Sequence, residues 1–283
     1  FSKLTMMEAL IHQLKTALSN TSVAVVICTT ILSFVITALL FSGRNKAQEP
    51  AKKQAQEEEE PEPPRNFTFE QLKKYDGSEE DEPIYVALRG VVFDVSSAPT
   101  HYGKDGAYNL FAGHDATRNL AKMSFEEDDL NKPSTEGFSV SEIDSLDGWY
   151  TTFKEYKQYP IVGRVVEPPK PRKISREELQ EMRGKQTCPE GYATAPICIS
   201  VKGNVYDVSF GGVTFYMEGA AYHLFAGKDA SRALAKMSFK DEDVNSTELK
   251  DLSEKELKVL DDWENTFKNR KKYPIIGFYD GRK

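Results

Sequence analysis

Residues 102–125 read YGKDGAYNLFAGHDATRNLAKMSF, and residues 216–239 read YMEGAAYHLFAGKDASRALAKMSF. The offset is 216 − 102 = 114 residues, and it holds for Tyr108 and Tyr222, Phe111 and Phe225, Trp149 and Trp263, and Tyr159 and Tyr273. Solenoid repeats recur at about 20–50 residues, so an offset this long marks a duplicated domain. Each copy carries two tyrosines six positions apart, a Phe-Ala-Gly turn, and an aspartate (Asp115 or Asp229) ahead of good helix formers. That aspartate is expected to cap the helix, its carboxylate accepting first-turn N–H bonds.

Upstream of the first copy, residues 84–96 read IYVALRGVVFDVS, and residues 197–209 read ICISVKGNVYDVS. Both alternate across a turn, Arg89-Gly90 or Lys202-Gly203-Asn204, which predicts a β-hairpin. Residues 67–72, FTFEQL, predict a short helix capped by Thr68. Downstream of each tyrosine loop come the capped helix, an acidic loop, a helix ending near Trp149 or Trp263, and a closing YPIVGRV or YPIIGFY. Helices inserted among short antiparallel strands predict an α+β domain of about 100 residues, large enough for one modest core. Between the copies, the prolines of residues 167–173 fix φ and remove donors, so a stiff linker rather than a strand is expected. The two domains are accordingly placed at 67–166 and 174–283.

Residues 22–41, SVAVVICTTILSFVITALLF, contain no charge. As a helix they reach about 30 Å, which predicts one transmembrane span. The run is too long for the core of a signal peptide, and no small-x-small cleavage site follows it. Arg44, Lys46, Lys52 and Lys53 follow it, against Lys3 and Lys15 before it. That bias puts the N-terminus in the lumen and the domains in the cytosol. In residues 1–21, Leu4, Met7, Ile11, Leu14 and Leu18 form one helical stripe. It reads as an amphipathic segment on the membrane, with a homodimer seam as the sharper alternative. Residues 42–66 are acidic and proline-bearing, a composition that predicts a disordered linker.

The net charge of −7 argues against nucleic acid as a partner. Three cysteines without zinc spacing exclude a disulfide scaffold, and Cys188 and Cys198 are expected as free thiols. No Ser/His/Asp set, P-loop, dinucleotide fingerprint or His-rich cluster is present, so no enzymatic activity is expected. Trp149 and Trp263 read as core residues, and Arg118 and Arg232 as solvated or paired surface charges. Taken alone, a loop tyrosine beside Phe-Ala-Gly is ordinarily a core anchor with a satisfied hydroxyl.

The order FTFEQLKKYDG, IYVALRGVVFDVS, Tyr-x5-Tyr-x2-FAG-x-DA-x-R-x-LAKMSF, a Trp and KYP-x-x-G resembles the membrane-associated progesterone receptor family. These are cytochrome b5-like haem/steroid-binding domains behind an N-terminal membrane anchor. The resemblance covers residues 67–166 and most of 174–283; the tandem duplication departs from the usual single domain. It implies one or two non-covalent b-type haems per chain, held without a histidine pair. Tyr108 and Tyr222 are then the tyrosinate iron ligands, and Tyr102 and Tyr216 polar partners of the ligand or of a propionate. A Lys-Tyr pair also faces the haem: Lys272-Tyr273 in repeat two, with Gln158-Tyr159 in repeat one losing the lysine.

Ferric iron, a hard Lewis acid, holds a phenolate although free tyrosine ionises only near pKa 10. Anionic oxygen ligation favours Fe(III), and a second phenol fixes the ligand's orientation. His101 and His223 adjoin these tyrosines, but neighbouring side chains on a turn usually diverge. The resemblance further implies a haem-binding, and steroid- or sterol-binding, regulator supporting haem-thiolate monooxygenases or other membrane enzymes in the endoplasmic reticulum or another endomembrane. The alternative is a haem-free tethered adaptor. Repeat one is expected to be the stronger haem site. Its loop keeps Gly103 and Gly106, where repeat two has Met217 and Ala220, and Lys104 stands where repeat two has Glu218.

Overall fold

A computed structural model describes residues 62–281, and in each copy the hairpin forms where the alternation places it. Strand β2 (Tyr85–Leu88) pairs antiparallel with β3 (Val91–Asp94). In repeat two, β6 (Cys198–Val201) pairs in the same way with β7 (Asn204–Asp207). The turn residues Arg89 and Gly90 have φ of 55° and 70°, and Lys202 and Gly203 have 51° and 88°. Two successive left-handed residues make a type I′ turn, whose twist matches that of the strands. The expected segments 1–21 and 22–41, and most of the linker 42–66, lie outside the described residues. Among the described residues no helix is long and apolar enough to cross a membrane.

Asp115 does more than cap, and it sits one residue early. The helix α3 (Thr117–Lys122; α1 and α2 being Phe69–Leu72 and Pro99–Tyr102) has Ala116 at its N-cap position. Asp115 is fully buried. Its Oδ1 accepts the Thr117 N–H at 3.0 Å and its Oδ2 the Gly90 N–H at 3.0 Å, tying the hairpin turn to the helix start. Asp229 likewise accepts the Ser231 N–H at 3.1 Å. Burial pushes the Asp115 carboxyl up, and its hydrogen bonds with Thr117 and Gly90 pull it back. The expected Thr68 cap is present as a full capping box with Gln71.

Each sheet gains a parallel strand beside its closing strand. Strand β1 (Arg65–Phe67) pairs parallel with β4 (Ile161–Val165). In repeat two, β5 (Arg172–Ile174) pairs parallel with β9 (Ile275–Tyr279), and the short β8 (Lys228–Asp229) runs parallel to β6. Gly163 is required in the first pairing, because a Cβ would lie 1.9 Å from the Arg65 carbonyl oxygen. Both linker boundaries therefore need correction. Arg65 and Asn66, read as the end of the linker 42–66, are strand residues, and the Pro-rich linker 167–173 stops at Pro171. Pairing of their backbone groups and burial of Asn66 and Ile174 outweigh the local composition.

The long helices Val140–Thr151 and Glu254–Asn265 begin at Ser139 and Ser253 capping boxes and run on into single wider π-turns. Those π-turns carry Phe153 and Phe267 into the cores, edge-on to Tyr159 and Tyr273 at 5.4 Å.

The two copies pack into one unit. The hairpins are offset by 197 − 84 = 113 residues and the tyrosine loops by 114, so repeat two holds one extra residue between Ser209 and Tyr216. Repeat one docks at that place. The Asn66 Nδ2 donates to Thr194 O (3.0 Å) and Ser209 Oγ (2.9 Å), and its Oδ1 accepts the Ala193 N–H (2.8 Å). Gln71 Nε2 donates to the carbonyl of the buried Phe210 at 2.8 Å.

Cys188 is an exposed free thiol and Cys198 a buried one. Burial, aided by Asp207, pushes the Cys198 thiol up. Asp207 itself is buried, whereas its counterpart Asp94 is half-buried. It accepts the Ser209 N–H at 2.9 Å and the Ile197 N–H at 3.3 Å, yet burial prevails and raises its carboxyl to about 6. An unfolded aspartate titrates near 3.9, so the folded state holds this proton more tightly. Its contribution is present below about pH 4 and is lost as the pH rises through about 6, a change of roughly 3 kcal/mol. Denaturant unfolding between about pH 4 and 7 should show this loss, and Asp207→Asn should flatten it. An unchanged pH slope in the variant would contradict the assignment.

Candidate functional site

The tyrosines singled out in the sequence come together in each copy. Tyr102 ends α2, and Tyr108 opens the short turn Asn109–Phe111. Tyr159 follows Gln158, which is held at φ 51°. Ring centroids are 6.0 Å apart for Tyr102 and Tyr108, and 6.4 Å for Tyr102 and Tyr159. In repeat two the Tyr216–Tyr222 spacing is 5.9 Å. Tyr216 and Tyr273 both flank Gly212, where a Cβ would lie 2.8 Å from the Tyr273 hydroxyl.

The loop geometry follows from one backbone bond. The Tyr108 N–H donates to the His101 carbonyl at 2.9 Å, and the Tyr222 N–H to the Phe215 carbonyl at 2.9 Å. In repeat one a Cβ at Gly106 would lie 2.2 Å from the His101 oxygen, whereas repeat two closes the same bond with Ala220 in that place. Gly103, by contrast, has φ −68°, and Met217 in the same place has φ −63°. Positive φ is therefore not what Gly103 supplies; the left-handed glycine of these loops is Gly219, at φ 85°.

Burial divides the tyrosines into two kinds. Tyr102, Tyr159, Tyr216 and Tyr273 are buried, while Tyr108 and Tyr222 are half-buried. Burial pushes the Tyr102 hydroxyl far up, and Tyr159 and Tyr108 add to the rise. Tyr216 is driven well up for the same reason, with Tyr273 and Tyr222 contributing. Burial raises Tyr159, and Tyr273 to about 12. These four remain neutral phenols and hydrogen-bond donors at ordinary pH. Burial also raises Tyr222, which disfavours its phenolate until a cation compensates.

An aromatic wall stands beside each half-buried tyrosine, and it was not anticipated. Tyr108 stacks with Phe111 at 5.9 Å and Phe125 at 6.0 Å, with Trp149 edge-on at 6.1 Å. Tyr222 stacks with Phe225 at 6.0 Å and Phe239 at 5.9 Å. Phe125 and Met123 are 56% and 78% exposed, so the wall is open to a ligand. The repeated LAKMSF was the available signal: it ends a helix on a left-handed methionine in both copies and delivers the phenylalanine. Trp149 thus lines the site as well as the core.

Charged side chains around the two sites are largely paired. Lys272 forms an ion pair with Glu70 of repeat one. Glu218 pairs with Lys185 at 2.7 Å. The exposed His101 ring lies 6.4 Å from Tyr102, tilted, and 6.5 Å from Tyr108, nearly parallel. His223 contacts the Ala220 carbonyl. Arg118 pairs with Asp129, and Arg232 with Asp243 and Asp251. Half-buried phenol oxygens, flat apolar walls and adjacent neutral phenols fit a planar macrocycle with a hard metal centre.

The family model described as cytochrome b5-like haem/steroid-binding domain matches residues 68–166 and again 175–279. The chain is 51% identical over 100 residues to probable steroid-binding protein 3 of Arabidopsis thaliana, covering 35% of this chain and 97% of that protein. It is 36% identical over 125 residues to human membrane-associated progesterone receptor component 2, covering 43% of this chain and 55% of that protein. It is 32% identical over 143 residues to the Schizosaccharomyces pombe cytochrome P450 regulator dap1, covering 48% and 84%. Matched twice and across most of its length, the chain belongs to the cytochrome b5-like haem/steroid-binding domain family, with membrane-associated progesterone receptor proteins among its relatives.

Proposed function

We propose that the chain is a membrane-anchored haem-binding regulator that supports haem-thiolate monooxygenases in sterol and steroid metabolism. The observation that carries this reading is the pairing, in both copies, of a half-buried tyrosine stacked on an aromatic wall with a buried neutral phenol at about 6 Å between ring centroids. Tyr108 and Tyr222 supply the ligand oxygens. Haem bound there supplies a ferric centre of low potential, suited to sensing or handling rather than rapid electron transfer. Tyr102 and Tyr216 donate hydrogen bonds that orient the ligand oxygen or hold a carboxylate. Phe111 with Phe125, and Phe225 with Phe239, provide the apolar faces.

The relatives' names support a regulatory role: one is a P450 regulator, others steroid-binding or progesterone receptor proteins. The open wall at Phe125 and Met123 also suits the apolar face of a steroid. Residues 22–41 anchor the chain in the endoplasmic reticulum or another endomembrane, and the domains act in the cytosol by binding, not turnover. In vesicles containing a sterol-oxidising haem-thiolate monooxygenase and its reductase, the full chain should raise turnover. The Tyr108→Phe/Tyr222→Phe variant should not. Equal stimulation by both would favour the haem-free adaptor.

A further inference from the structure

The clefts beside the two tyrosine loops differ in charge. In repeat one a cleft of about 610 Å3 follows the loop, and Glu79, Glu80, Glu82 and Asp105 line it with Lys104 as its one cation. In repeat two a cleft of about 270 Å3 is lined by Arg183, Lys185, Lys228 and His223, with Tyr216 and Glu218. Glu218 is already engaged by Lys185. Lys228 donates to a neutral acceptor, Asn245 Oδ1, at 3.0 Å. Arg183 has no carboxylate partner among the described residues. Its stem rests on Gly227, at φ 75°, where a Cβ would come within 2.8 Å of the Arg183 Cγ. A glycine therefore seats the guanidinium over the loop.

Partial burial and the nearby Arg183 push the Lys228 ammonium down, and Asp241 offsets them only in part. The mutual repulsion of Arg183 and Lys228 in a partly buried cleft is relieved when an anion joins them. The lysine that the sequence offers for this role, Lys272, is held by Glu70.

We propose that this cleft is an anion subsite of repeat two, in which Arg183 and Lys228 take the carboxylate of an apolar ligand lying against Tyr216 and Leu224. The inference rests on the tyrosine-cluster reading for its ligand, a planar macrocycle bearing carboxylates. It predicts that repeat two prefers the free acid over a neutral ester, while the acidic cleft of repeat one confers no such preference. For an anionic ligand it reverses the expectation that repeat one is the stronger site.

The test uses detergent-solubilised full chain carrying Tyr108→Phe, titrated with haemin and with haemin dimethyl ester. Adding Arg183→Ala and Lys228→Ala should weaken haemin about tenfold or more, as loss of charge-assisted hydrogen bonds does, and leave the ester unchanged. Arg183→Lys with Lys228 intact should restore most of the haemin affinity. Unchanged haemin binding, or equal loss of acid and ester, overturns the subsite. If neither compound binds even the unsubstituted chain, the haem reading fails on its own. The cleft is then read with 8-anilinonaphthalene-1-sulfonate, whose affinity should fall about tenfold with the same two substitutions. No change in that titration would also overturn the subsite.

Discussion

Tyr108→Phe should abolish the tyrosinate-to-iron signature of repeat one while the domain stays folded. The substitution removes one oxygen and keeps the ring, so stacking on Phe111 and Phe125 persists. Loss of one half-exposed hydroxyl costs about 1 kcal/mol or less of stability. Loss of an outer hydrogen-bonding partner weakens a metal site about ten- to hundredfold, and removing the ligand itself should exceed that. Tyr102→Phe, which deletes only the neighbouring donor, should fall within that lower range. Haemin titration of chains carrying Tyr222→Phe, so that repeat one alone reports, would measure both. Equal affinities with and without the Tyr108→Phe substitution would remove Tyr108 from the ligand role.

Asn66→Ala should uncouple the repeats. The side chain is fully buried and makes four hydrogen bonds to Ala193, Thr194 and Ser209 of the other repeat. Truncation leaves the Ala193 N–H without its acceptor and opens a polar void, at a cost of roughly 3 kcal/mol. For a unit of this size that is a fall of about 6–12 °C in Tm. Calorimetry should show one transition in the native chain and a lower, split transition in the variant. A single transition at an unchanged temperature would mean that the interface contributes nothing. Glu70→Gln should matter far less, since its ion pair with Lys272 is exposed.

The hairpins and tyrosine loops were legible because their signals are local: alternation, turn residues and a doubled motif. Each tyrosine's partners were harder to read, because Phe125 follows Tyr108 by seventeen positions and its role depends on the left-handed Met123 that redirects the chain. The inter-repeat contact was not legible from residue types. Asn66 looks like linker and Gln71 like an ordinary helix residue, and most of what they bond to is backbone, which leaves no side-chain pattern. The one trace was numerical, the step from an offset of 113 to one of 114 around Phe210. The contact of Lys272 with Glu70 was hidden for the same reason, since the two lie 202 positions apart. Asp115 stands one residue before the cap position, where its carboxylate accepts both the Thr117 and the Gly90 N–H.

The most direct measurement is the absorption spectrum of the purified full chain after haemin addition, read together with haem-to-protein stoichiometry. The account predicts a Soret band with a high-spin ferric, tyrosinate-type spectrum, saturating at one or two haems per chain and absent from the Tyr108→Phe/Tyr222→Phe variant. A chain that takes up no haem, or one whose spectrum survives both substitutions, would contradict it.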